Sequence, residues 1–255
     1  MKDTRYYKTF SDDFVESKNQ NYKLPSNYKW IHKNKIYHFL SKIVYIIAYI
    51  FSFFYCKFVL HVSIKNRKIL KENKDKGYFV YGNHTQPIGD AFLPALVCSP
   101  KHIYTVVSPA NLGIPILGKL LPIMGALPIP DTSNLTSMKS FMKAIFQRIH
   151  EKKCVIIYPE AHVWPYYTKI RPFPITSFKF PVKEGTPSYA MTVTYHKRKL
   201  GSKPKIIVYI DGPFLPEKTL DKKEQEIKLR DDIYKCMVNR SLSSTYSYIQ
   251  YKEEK

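Results

Sequence analysis

Hydrophobic and polar positions divide the chain into three regimes. Residues 1–34 mix polar and aromatic residues without sustained periodicity and read as an arm, with at most a short helix from Asp12 to Lys18. From 43 to 56, "IVYIIAYIFSFFYC" runs fourteen residues without a charge, flanked by Lys42 and Lys57, and a second apolar patch, "FVLHVSI", follows. Beyond Arg67 short β-branched or aromatic runs alternate with amphipathic stretches, the rhythm of an α/β domain. Residues 77–82, 103–108, 154–160, 189–195 and 205–212 predict strands. Residues 133–153 set Leu135, Met138, Met142, Ile145, Phe146 and Ile149 on one helical face, with Thr132 or Ser133 as the expected cap. Residues 221–241 predict a second amphipathic helix through Ile227, Leu229, Ile233, Cys236 and Met237. The tail beyond Ser244 is polar and reads as loosely held. The expected divisions are therefore a polar arm (1–34), an apolar helical segment (35–64), an α/β domain (65–241) and a polar tail (242–255).

Fourteen helical residues span about 21 Å, short of a hydrocarbon core of roughly 30 Å. Counted from Ile36 to Ile64, with Lys42 and Lys57 snorkelling, the segment is long enough to cross. A buried core helix is the plainer alternative, but core helices are usually apolar on one face and this one is apolar all round. Trp30, Tyr37 and neighbouring lysines resemble an interfacial belt. The expectation is membrane association, with shallow insertion favoured over a full span.

At 255 residues the chain can bury one substantial core. Its 41 basic and 20 acidic residues leave a net charge of +21, a field that draws nucleic acid or an acidic membrane surface. Abundant Lys, Ile, Asn and Tyr also follow from AT-rich codons, so charge alone names no partner. Lysines and 21 tyrosines offer phosphate contacts and stacking surfaces. No nucleic-acid-binding motif accompanies them, and the apolar segment argues against that reading. Cys56, Cys98, Cys154 and Cys236 form no C-x-x-C pair and read as free thiols in a reducing compartment. The first 30 residues lack the apolar core of a secretory signal, so the cytoplasmic side is expected.

Candidate chemistry concentrates at two strand ends. In "YFVYGNHTQPIGDAFLPAL" (78–96), His84 leaves a strand and Asp90 opens a helix. A carboxylate accepting from one imidazole nitrogen fixes the tautomer and leaves the other nitrogen as a base. Asp90 as a mere N-cap, with His84 a polar loop residue, is the competing account. "YPEAHVW" (158–164) ends another strand with Glu160 and His162. Two histidines and two carboxylates at one sheet edge also suit a metal site, although their spacing matches no specific metal motif.

The order of these stretches resembles the glycerolipid acyltransferase family, which includes the lysophosphatidic acid acyltransferases. The first family motif, N-H-x-x-x-x-D, is met by Asn83, His84 and Asp90, and the second, G-x-x-F-I-x-R, partly by "GALPIPD" from Gly125. The third, F-P-E-G-T-R-S, is similar to "YPEAHVW", which keeps Pro159 and Glu160. "FKFPVKEG" (178–185) resembles the Phe-Lys-x-Gly run, and the fourth motif looks like the stretch around Pro187. An apolar segment before the first motif is also a family feature, and the likeness covers about residues 40 to 212.

The resemblance implies a mixed, mostly parallel sheet flanked by helices, with an N-terminal membrane-associated helical segment. It implies acyl transfer from an acyl-CoA or acyl carrier protein thioester to a hydroxyl of a lysophospholipid or related glycerolipid, at the cytoplasmic face of an anionic membrane. His84 would be the general base and Asp90 its orienting partner, with Asn83, Glu160, Gly125 and Lys179 on the substrate side. Neither metal nor prosthetic group is implied, and no nucleic acid. The alternative is a metal-dependent phosphoester or ester hydrolase using His84, Asp90, Glu160 and His162. Three departures from the family pattern stand out. The His-to-Asp interval is one residue longer, and the two family arginine positions fall on Asp131 and Val163. Lys169, Arg171, Lys179 and Lys183 lie downstream as candidate replacements, with a solvated basic face the plainer reading.

Overall fold

Every residue in 78–82, 154–157 and 188–195 is buried, which suits strands covered by helices on both faces. The computed structural model describes residues 3–15 and 21–254. Strand β1 (Asp3–Tyr7) precedes helix α1 (Lys35–Phe54), which continues as a π-helical turn over Tyr55–Val59. Then come β2 (Val62–Lys65), β3 (Tyr78–Gly82), α2 (Gly89–Cys98), β4 (Ile103–Val107), the short α3 (Leu117–Leu120) and β5 (Ala126–Pro128). The remainder comprises α4 (Leu135–His150), β6 (Cys154–Ile157), α5 (Lys179–Glu184), β7 (Ser188–His196), β8 (Lys205–Phe214), α6 (Lys222–Ser241) and β9 (Ile249–Glu253).

Seven strands form one sheet in the order β2-β8-β7-β3-β6-β4-β5. Pairing is parallel throughout except between β7 and β8, so the mixed, mostly parallel sheet expected from sequence is present. Alternation along β3 sends Phe79 and Tyr81 to one face, where they meet Phe141, Ile145, Phe180 and Met237 of α4, α5 and α6. Tyr78 and Val80 face the other way, toward Leu93 and Val97 of α2 and Cys56 at the end of α1.

Helix α1 is turned inside out. Tyr37, Ser41, Tyr45, Tyr49, Ser52 and Tyr55 recur at helical spacing and face the domain. Tyr37 donates to the Pro122 carbonyl (3.3 Å), Ser41 to that of Ile123 (2.6 Å) and Tyr45 to that of Lys101 (3.3 Å). The outward face carries Ile36, Phe39, Ile43, Ile46, Ile47, Ile50, Phe54 and Phe58, all exposed. By length and composition Lys35–Val59 suffices to cross a membrane.

Local differences from the sequence reading have physical causes. Val62–Ile64, which apolarity alone assigns to the helical segment, is edge strand β2, paired with β8. The tail, read as loosely held, is tied to the arm: β1 and β9 form a parallel two-stranded sheet from Asp3↔Ile249 to Tyr7↔Glu253. Of the short helix expected over Asp12–Lys18, residues 12–15 are not helical and 16–18 lie outside the described residues. The cap of α4 is Asn134, whose Oδ1 accepts from Ser137 N at 3.0 Å. Thr132 and Ser133 lie before that position, since the helix begins at Leu135, and Ser133 instead donates its N–H and hydroxyl to Asp131. The second amphipathic helix is present as α6, and it starts on a capping box between Asp221 and Glu224.

Candidate active site

Strands β3 and β6 are parallel neighbours with Tyr81 beside Ile157, so the residues following each leave the same sheet edge side by side. The chain from β3 continues into α2 on one face, whereas the chain from β6 leads to α5 on the other. Their carboxyl ends therefore flank a topological switch point, where open α/β sheets form crevices. His84 and Tyr158 occupy it. Their rings stack with centroids 4.4 Å apart.

The loop after β3 is built around one carboxylate. Asp90 Oδ2 accepts from His84 Nδ1 at 2.7 Å and from Gln86 N at 2.9 Å. The residue in excess of the family interval does not part the pair. Thr85, Gln86 and Gly89 are buried while Pro87 and Ile88 project to the surface, so the added length leaves as an outward bulge. Tyr195 pins the loop from below, its hydroxyl lying 2.7 Å from Thr85 Oγ1 and accepting from Gln86 Nε2 at 2.9 Å. Tyr158 donates to the Asp90 carbonyl at 2.7 Å. Burial raises the Asp90 carboxyl above its ordinary value, while the bonds from His84 and the loop N–H groups pull it back. Among the described residues, Asp90 Oδ1 is buried without a hydrogen-bond partner. His84 is a fifth exposed (20%), and among the described residues its Nε2 takes no protein hydrogen bond.

Asn83 and Glu160 hold this loop on the sheet. Both amide atoms of Asn83 bond the backbone of Val193, at 2.8 and 3.1 Å. Glu160 Oε2 accepts from the His84 backbone N–H at 3.0 Å, which ties the two strand ends together. Its other partner is Arg171, through an ion pair at 3.1 Å and the Arg171 backbone N–H at 2.9 Å. The Arg171 guanidinium also donates to the carbonyls of Phe10 and His162 and lies over the Trp164 ring. Trp164 N and Tyr166 N donate to the carbonyls of His84 and Thr85, so loop 160–167 is laced to the His84 loop along its length.

The other candidates lie elsewhere. Register through β5, β4, β6 and β3 sets Ala126 level with Val80, and hence Gly125 level with Phe79. That is five residues before His84, about 16 Å at strand rise, and three strands across. Gly125 has a conformational reason to be glycine: φ is +106°, and a Cβ would lie 2.4 Å from the Ile103 carbonyl oxygen. Lys179 sits on α5, on the sheet face opposite α2, with Nζ 5.5 Å from the Phe180 ring. Among the described residues neither Gly125 nor Lys179 makes a hydrogen bond or ion pair with His84 or Asp90. His162 pairs with Asp13 at 3.3 Å, and Glu160 is committed to Arg171 and His84. Among the described residues no three His, Cys, Asp or Glu side chains converge to hold a metal, so the four-ligand hydrolase arrangement is not assembled.

Tyr158 and Tyr195 escape sequence reasoning as site residues, because nothing in their local pattern separates them from core tyrosines. Arg171 is visible downstream as a candidate cation, but its engagement with Glu160 depends on how loop 160–171 folds.

The hydrogen-bonded pair of buried Asp90 and partly exposed His84 thus lies at the switch point of a mostly parallel sheet. A family model described as Acyltransferase matches residues 61–216, and the chain belongs to that family. No curated protein sequence matches it. Among solved structures, the fold is similar to the 1-acyl-sn-glycerophosphate (LPA) acyltransferase PlsC from Thermotoga maritima. The TM-score is 0.52 at 14% identity, over 86% of each chain. The expected α/β architecture and acyltransferase family are therefore both found.

Proposed function

We propose that this protein moves a fatty acyl group from a thioester to a hydroxyl of a lysophospholipid or related glycerolipid at a membrane surface. The observation that carries the reading is the 2.7 Å bond from His84 Nδ1 to Asp90 Oδ2, which leaves Nε2 as the basic nitrogen. Nε2 accepts the proton of the acceptor hydroxyl as its oxygen attacks the thioester carbonyl carbon. The new C–O bond forms, the C–S bond breaks as the tetrahedral intermediate collapses, and the imidazolium returns its proton to the departing thiolate. Asp90, buried and aimed at Nδ1, stabilises the imidazolium formed midway. Asn83 and Glu160 act as positioning residues, since their polar atoms are spent on the scaffold. Gly125 and Lys179 have no part in the chemical step.

The inverted helix α1 supports membrane association. Its hydroxyl-bearing stripe is docked on the domain from Tyr37 to Tyr55, so the helix lies along the protein with its apolar face outward. Such a helix fits lying in the interface plane, not crossing it. Exposed Lys35, Lys42 and Lys57 along it, and Lys33 just before its start, add attraction to anionic lipid, about 1 kcal/mol for each one near the surface. Four free cysteines agree with the cytoplasmic face.

The test is a transfer assay with purified protein, a labelled acyl thioester (acyl-CoA and acyl carrier protein forms in parallel) and vesicles bearing lysophospholipid. Free thiol should appear in step with label in the diacyl lipid. Label recovered only as free fatty acid would identify a hydrolase and overturn the proposal.

A further inference from the structure

The bulge in the His84–Asp90 loop carries an apolar side chain that the chemistry does not use. Ile88 is 56% exposed, although Thr85, Gln86, Gly89 and Asp90 around it are buried. The loop beneath it is fixed: Gln86 is bonded through its backbone to Asp90 and through its side chain to Tyr195. Ala91 N donates to the Ile88 carbonyl at 3.2 Å. Among the described residues nothing covers this isoleucine, although the loop that carries it is constrained.

Its neighbours indicate what does. Gly89, bare of a side chain, lets Leu60 pack against the loop; a Cβ there would lie 3.1 Å from Leu60 Cδ1. One helical turn beyond Ile88, Phe92 meets Phe51 and Tyr55 of the α1 segment, with ring centroids 5.4 and 5.5 Å away. The exposed Phe54, Phe58 and Val59 complete that end of the segment. The outward apolar face of α1 therefore runs up to the catalytic loop and continues as Ile88.

We infer that Ile88 is a lipid-contacting residue, seated in the same bilayer surface as α1, so that membrane contact bears directly on the loop holding His84 and Asp90. The inference rests on the membrane reading of α1 above. A bilayer is the occupant that matches this surface: its apolar face is bordered by exposed lysines, and the whole chain carries +21. In this arrangement a lipid acceptor reaches the pair from the membrane side of the loop, past Ile88. Ile88 is thereby a positioning residue that acts through the loop and its lipid contact, and it takes no part in proton transfer.

The experiment uses the full chain with Cys236→Ser, the other three cysteines being buried. Single labels are attached at Ile88→Cys, at Ile46→Cys on the outward face of α1, and at Lys143→Cys on α4. Each is an environment-sensitive fluorophore read on phosphatidylcholine–phosphatidylglycerol vesicles against a nitroxide on the lipid chain and against aqueous iodide. Positions 88 and 46 should be quenched by the lipid nitroxide at least threefold more than position 143. Lipid quenching at 46 with only iodide quenching at 88 would overturn the inference and leave the reading of α1 standing. Lipid quenching at neither position would overturn both. Shielding of position 88 that grows with protein concentration in the absence of vesicles would assign the surface to a second copy of the chain, and overturn it too. Unlabelled variants supply the second readout. Ile88→Ser should lose at least fivefold in turnover of a vesicle-borne acceptor but less than twofold with a monomeric short-chain acceptor, and Ile88→Leu should restore the former. Equal loss on both acceptors, or no loss on either, would contradict the inference.

Discussion

Replacing Arg171 by Met should unfasten the active-site edge of the sheet. Arg171 and Glu160 are both buried, with side-chain exposures of 1% and 0%, so their ion pair at 3.1 Å is shielded from water. Methionine roughly keeps the volume but leaves the Glu160 carboxylate with only two backbone N–H partners, from His84 and residue 171. It also takes donors from the carbonyls of Phe10 and His162. Removing one partner of a buried pair costs about 3–5 kcal/mol, a large part of the roughly 5–15 kcal/mol that holds a domain folded. Urea unfolding should show it as a fall in midpoint of about 1–2.5 M, taking m as about 2–3 kcal/mol/M. A double-mutant cycle separates charge from packing. With Glu160→Gln also made, the uncompensated charge disappears, and the double variant should be more stable than the sum of the single losses by about 1–3 kcal/mol. A loss below about 1 kcal/mol for Arg171→Met, or strictly additive losses, would refute the claim that this pair anchors the His84 loop.

Three further outcomes follow from particular side chains. Gly125→Ala places a Cβ 2.4 Å from the Ile103 carbonyl at a φ of +106°. It should cost at least about 2 kcal/mol in denaturant titration while leaving the acceptor KM of the folded fraction unchanged; a selective rise in KM would restore Gly125 to the substrate site. His102, stacked between Tyr45 and Tyr104, is pushed by burial from 6.5 to about 4. The unfolded chain takes up this proton first as the pH falls, so stability is full above about 6.5 and declines toward pH 4, by about 3 kcal/mol from this group. His102→Phe should flatten that part of the pH–stability curve, and an unchanged curve would reject the cause. Transfer activity should survive exhaustive chelation within twofold, because Glu160 and His162 are engaged by Arg171, His84 and Asp13; loss on chelation with recovery on adding metal would revive the hydrolase reading.

The sequence reveals what depends on neighbouring residues. The strand at 78–82 and the six-residue step from His84 to Asp90 are local, so both the element and the pair can be inferred before any fold is known. Glu160 is legible as a strand-end carboxylate, but its pairing with Arg171 is set by an eleven-residue excursion of loop that no periodicity encodes. The β1–β9 pair joins the two ends of the chain through "DTRYY" and "IQYKE", short polar strands whose partner is known only once the domain has formed. Helix α1 is legible as an apolar helix, whereas its direction is not. Tyrosine and serine blur its hydropathy into an all-round apolar surface, and only docking shows that the hydroxyl stripe faces inward. The bulge at Pro87–Ile88 is likewise visible as one residue too many, with its outward course decided by the grip of Gln86 and Tyr195 beneath it.

The central claim is that His84, held by Asp90, takes the proton of the acceptor hydroxyl. Its most direct test is single-turnover acyl transfer by purified His84→Ala, compared with wild type on the same vesicles and with folding checked by circular dichroism. The rate should fall by about 10²–10⁴-fold, with binding of the vesicles unchanged. Transfer at the wild-type rate by folded His84→Ala would contradict it.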